Sequence, residues 1–204
     1  MRRESTTVVA IVGAVDELLL ADLGHSPNVA VVRAPTVQVG KARTEQADER
    51  PRWEAGAIAL REAAHRQSAY VLVADDPLAD VAAAWRAMWD LAGGPEGPAQ
   101  FETSAAEALA AWRGKQFELP DYYLLVATTQ PDGTGPDLYL GPLRAARPSR
   151  VAATIITGPD RAGAVLDALR SLTHGPWWPP LDELLDTARH FYAGGLSESQ
   201  LAPS

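Results

Sequence analysis

The chain has 204 residues, 47% hydrophobic and 22% charged, enough to bury a sizeable core and too apolar for a disordered segment. It contains no cysteine, which excludes disulfides, thiolate metal sites, iron–sulfur ligation and a cysteine nucleophile. Its net charge of −8 is spread evenly and argues against nucleic acid, and no apolar run reaches the ~18–20 residues that span a bilayer.

Met1-Arg2-Arg3-Glu4 leads into a short apolar run that Asp16 and Glu17 soon interrupt, so it reads as a first core strand, not a signal peptide. A cytoplasmic location is the expectation. Thr6–Val12 is continuous and β-prone, the pattern of a strand buried on both faces, and it breaks at Gly13. Val15, Leu18, Leu19 and Leu23 then recur at helical spacing up to Gly24. A second strand over Val29–Arg33 ends at Pro35, and a polar stretch runs from there to Arg52. It reads either as a lid or as a disordered excursion. Trp53, Ala57, Leu60 and Ala64 mark a helix, Tyr70–Ala74 a third strand, and Leu78, Val81, Trp85, Met88 and Ala92 a further helical stripe.

Strand, helix, strand, helix, strand implies parallel pairing through crossovers. Gly93–Pro98 reads as a hinge, and Ser104-Ala105-Ala106-Glu107 fits a capping box opening a helix that buries Leu109 and Trp112. Tyr122–Thr128 and Asp137–Leu143 read as strands of a hairpin, followed by a strand over Arg150–Thr157. Pro159 suits the first turn of a helix with Ala162, Val165, Leu166, Leu169 and Leu172 on its stripe. A last helix opens at Pro179-Pro180 and buries Leu181, Leu184, Leu185, Ala188 and Phe191.

The expectation is a single α/β domain over residues 1–204 with a mixed sheet and helices on both faces. It comprises a βαβαβα half (1–92), a hinge and helix (93–120), a three-stranded meander with two C-terminal helices (121–196) and a frayed tail (197–204).

In an open α/β sheet, ligands sit beyond the carboxyl ends of the strands. Gly13, Arg33, Asp75 and Asp76 should converge there, as magnesium ligands, a base with an anion clamp, or helix and turn caps. A phosphate cradle is disfavoured, because Gly13 stands alone and Asp16 and Glu17 would repel phosphate. Asp186 and His190 share a helix face with His174 just upstream, but no second histidine has ligand spacing, and no G-x-S-x-G is present. No metal site and no required cofactor is expected, magnesium at Asp75 and Asp76 being the one option.

Arg144, Arg147 and Arg150 read as an anion or acidic-partner patch, or as solvated arginines. Trp177 and Trp178 lie in a Pro-locked turn that cannot easily bury both indoles, and Trp89 falls off its helical stripe. These three are candidate interface anchors, with internal packing as the alternative.

Two functions follow. A non-catalytic binding, regulatory or assembly protein is favoured, its partner another protein or a second copy in a homodimer, with neither nucleic acid nor membrane involved. The alternative is a small-molecule or metal- or nucleotide-dependent enzyme working at the carboxyl edge.

Overall fold

A computed structural model describes residues 6–34, 52–89, 96–130 and 137–201, with side chains to residue 194. The strands β1 (Thr7–Gly13), β2 (Val29–Val32), β3 (Tyr70–Val73), β4 (Tyr122–Ala127) and β5 (Val151–Ile155) form a five-stranded sheet in the order β2-β3-β1-β4-β5. Every pairing is parallel. The expected mixed sheet and meander are therefore corrected.

The correction centres on residues 137–143. Instead of a strand, Tyr139–Leu143 is a wide helical turn, kinked at Gly141, that runs on into the short helix α5 (Arg144–Ala146). Asp137 starts it, because its Oδ1 accepts the Tyr139 and Leu140 amides, both at 2.9 Å. The Leu143 amide then reaches back to the Leu138 carbonyl at 3.1 Å. Pro142 has no amide to give a sheet ladder. Leu138, Tyr139, Leu140 and Leu143 are all buried, which a strand with one wet face would not produce. The connection between β4 and β5 is thus a helical crossover, not a hairpin.

The remaining helices are α1 (Glu17–Gly24), α2 (Arg52–Ala63), α3 (Ala79–Trp89), α4 (Glu96–Arg113), α6 (Arg161–Arg170) and α7 (Leu181–Leu201). Strand side chains alternate between two layers. Val9 and Ile11 pack with Leu19 and Leu23 of α1 and Val165 and Leu169 of α6. Ala10, Tyr123 and Leu125 pack with α3, α4 and α7, and Val8, Val71 and Val73 pack with α2. Crossovers moving towards β5 use the second layer and the one moving away uses the first, as a single hand of connection requires. No helix among the described residues is long and apolar enough to cross a membrane.

Three boundaries differ from the sequence expectation. Glu96, Gly97 and Pro98 belong to the first turn of α4, and the rest of the expected hinge, residues 93–95, lies outside the described residues. Ser104 is consequently inside α4 and caps nothing. Asp160, not Pro159, starts α6, its Oδ1 accepting the Gly163 amide at 2.8 Å. The backbone of α7 also continues to Leu201, through much of the expected tail. The stretch 35–51 and the turn residues 131–136 lie outside the described residues.

Trp85 is fully buried between α3, α4 and α7, with ring centroids of Phe101, Trp89, Tyr192 and Phe191 at 5.6, 5.8, 6.2 and 6.3 Å. Such edge-on aromatic pairs add about 0.5–1.5 kcal/mol beyond area burial. Trp89, expected as exposed aromatic surface, is half-buried in this cluster.

Candidate functional site

Because the strands are parallel, Gly13, Arg33, Asp75 and Asp76 all follow carboxyl ends on one edge of the sheet. Gly13 has φ +94°, and a Cβ there would stand 2.4 Å from the Val126 carbonyl oxygen. The glycine is required because β1 closes tightly on β4, the Ala14 amide donating to that same carbonyl at 2.8 Å. Pairing explains it; a phosphate is not needed.

Among the described residues, Asp16, Glu17, Asp75 and Asp76 on this edge all hold partners. Asp16 caps α1 through the Leu19 amide (2.9 Å) and pairs with Arg161 at 2.8 Å, and these contacts hold its carboxyl below the usual range. Glu17 accepts a hydrogen bond from Arg33. Asp75 Oδ2 accepts the Ala34 amide at 2.6 Å, tying the end of β2 to the end of β3.

Among the described residues, Asp76 is the buried charged residue, 6% exposed. Its Oδ1 accepts from the Leu78 amide and the Tyr123 hydroxyl, both at 3.0 Å, and its Oδ2 from the Tyr139 hydroxyl. Burial pushes the Asp76 carboxyl above its ordinary range, against the opposing pull of those three donors. Burial, with the Asp76 charge beside them, also raises both tyrosines well above a free phenol, so both remain neutral donors. Gly13, Asp76 and Tyr139 line a crevice of about 290 Å³, whose other walls are largely apolar. Arg33 and Asp75 do not line it. Among the described residues no group of three or more histidines, aspartates or glutamates is placed to hold a metal.

A larger hollow lies at the opposite, amino edge. A groove of about 1010 Å³ runs between the end of α4 and the segment entering α7, lined by Trp112, Phe117, Leu119, Trp177, Trp178 and Pro180 among others. Trp178 is buried and donates its indole N–H to the Pro120 carbonyl at 2.7 Å. Trp177 is 48% exposed. Trp112, read from its helical stripe as core, is half-buried on the groove wall.

Arg147 and Arg150 fix that wall. Arg150 donates to the carbonyls of Gly175 (2.7 Å), Pro176 (3.0 Å) and Asp121 (3.2 Å), with its guanidinium 5.0 Å from the Tyr122 ring centre and 4.9 Å from that of Trp177. Arg147 donates to the Trp177 carbonyl at 2.7 Å. These two arginines donate to backbone carbonyls, while Arg144 is exposed. Sequence spacing missed Tyr123 and Tyr139 as partners of Asp76. For Tyr123 the available signal was its place in the aliphatic run of β4, since a buried phenol needs an acceptor. Comparison with protein-family models, curated proteins and solved structures finds no match.

Proposed function

We propose that this chain is a non-catalytic binding protein, and that it recognises an extended segment of another protein in the tryptophan-lined groove at the amino edge of its sheet. The observation that carries this reading is the presentation of Trp177. Its indole is 48% exposed on the groove wall, yet its loop is pinned by hydrogen bonds from Arg147 and Arg150 and by guanidinium stacking. An anchor fixed before contact loses little conformational entropy on binding, and aromatic anchors dominate interface energy. The carboxyl edge supports the same reading from the other side, because Asp75 and Asp76 are engaged in local and core hydrogen bonds.

The test is selection of peptides from a random library on the immobilised protein, followed by affinity measurement on variants. Peptides from such a selection should lose about tenfold or more in affinity on Trp177→Ala, as anchors typically do, while Asp75→Asn leaves them unchanged. Because Trp177 is half exposed, its removal leaves the core intact, which circular dichroism checks. Failure to select any binder, or binders indifferent to Trp177, would overturn the proposal. Sedimentation over a range of concentrations separates the remaining occupant: a dimer abolished by Trp177→Ala would put a second copy in the groove and displace the partner-segment reading.

A further inference from the structure

A second hollow of about 350 Å³ adjoins the groove, the two sharing Lys115, Phe117 and Glu118 in their linings. This second hollow is lined by Arg61 and His65, at the end of α2, together with Lys115 and Gln116. On a chain of net charge −8, two of these side chains, Arg61 and Lys115, are cationic. Glu118 also lines the hollow and offsets part of that charge. Lys115 is exposed, sits at φ +56° just past the end of α4, and has no ion pair among the described residues. Arg61 is exposed and spends only its Nε, on the Ala57 carbonyl at 3.1 Å, leaving both terminal amino groups of its guanidinium unpaired among the described residues. Neighbouring cations are occupied: Arg66 pairs with Glu62 at 2.9 Å and Arg113 with Asp182 at 3.4 Å.

Resting on the binding function above, we infer that the segment taken by this groove is acidic. Its apolar anchors seat against Trp112, Trp177 and Trp178, and its carboxylates run on past Phe117 to Lys115 and Arg61. The tryptophan groove supplies affinity through burial, whereas the two unpaired cations select the sign of the flanking charge. Exposed pairs of this kind are each weak, so charge shifts affinity by a modest factor and does not create binding alone. The net negative charge elsewhere is screened beyond a Debye length of ~8 Å at physiological salt, so the charges lining the groove decide its preference, with Lys115 and Arg61 set against Glu118 and Asp121.

The test uses synthetic peptides sharing one tryptophan-and-leucine anchor and followed by glutamates, glutamines or lysines, read by fluorescence anisotropy on the full chain. The glutamate peptide should bind about three- to tenfold more tightly than the glutamine peptide, and the lysine peptide more weakly than either. That spread should shrink when salt rises from ~0.05 to ~0.5 M. The double variant Lys115→Glu, Arg61→Glu should reverse the order, and both positions are exposed, so the fold is not at stake. Equal affinities, or a preference for lysine, would overturn the acidic partner while Trp177-dependent binding kept the broader function intact. Absence of binding by every peptide would overturn both.

Discussion

Asp76 shows how one buried residue both organises a fold and makes it sensitive to pH. Its carboxyl joins the β3–α3 turn, β4 and the wide turn after Asp137 through Leu78, Tyr123 and Tyr139. Removing one donor from a buried charged acceptor costs about 1–3 kcal/mol, so Tyr139→Phe should lower unfolding free energy by that amount in urea melts. The pH effect has a definite sign. Burial raises the folded pKa above the ordinary 3.8, so between the two values the native state keeps a proton that the unfolded chain has lost. That contribution is fully present below 3.8 and disappears as pH rises through the folded value. Asp76→Asn removes the titration while keeping an acceptor for Leu78 and Tyr123. The stability of the variant relative to wild type should therefore improve from pH 4 towards neutrality. A difference that stays constant across the series would show that Asp76 does not titrate in this window.

At the scale of elements, the sequence was most legible where a run was uniform. Val8–Val12 and Val71–Val73 are apolar without interruption, and only a strand buried on both faces needs that. The stretch 137–143 was misread because alternation alone cannot separate a strand from a buried helical turn. The deciding feature is local and polar, the Asp137 carboxylate capping the Tyr139 and Leu140 amides. Asp137→Ala should thus destabilise the protein by about 1–2 kcal/mol, the usual worth of a cap, read as a shift in the urea midpoint. No effect would mean that the burial of Leu138, Leu140 and Leu143 holds the turn unaided. The capping-box pattern at Ser104 failed for a related reason, since Glu96, Gly97 and Pro98 had already opened that helix upstream. The partners of Asp76 were invisible to local pattern altogether. Tyr123 and Tyr139 lie 47 and 63 residues away in sequence and meet it only through the topology. The groove itself was not legible: the Pro-locked Trp177-Trp178 pair suggested an exposed indole, whereas Trp112 read as core and Lys115 carried no sequence signal of its own.

Over the whole molecule the two edges of the parallel sheet differ in what they present. A doubly wound sheet places ligands at its carboxyl edge, and this sheet has an acidic one, with Asp76 lining the crevice and Asp16, Glu17 and Asp75 outside its lining. Each carboxylate there holds an amide, an arginine or a tyrosine, and a divalent cation would have to displace those partners and desolvate again. A magnesium ion or magnesium–nucleotide complex held at about 100 times its dissociation constant stabilises a protein by about 2.7 kcal/mol. For a chain of this size that amounts to roughly 5–10 °C in melting temperature. Neither magnesium nor magnesium–ATP should shift the melting temperature beyond the scatter of replicate scans. A shift of the larger size, abolished by Asp75→Asn or Asp76→Asn, would show that the edge trades its internal partners for a ligand. It would favour an enzyme at the carboxyl edge over a binding surface at the amino edge. With no shift, the aspartates act as internal fasteners, and the proposal of a binding surface at the amino edge stands.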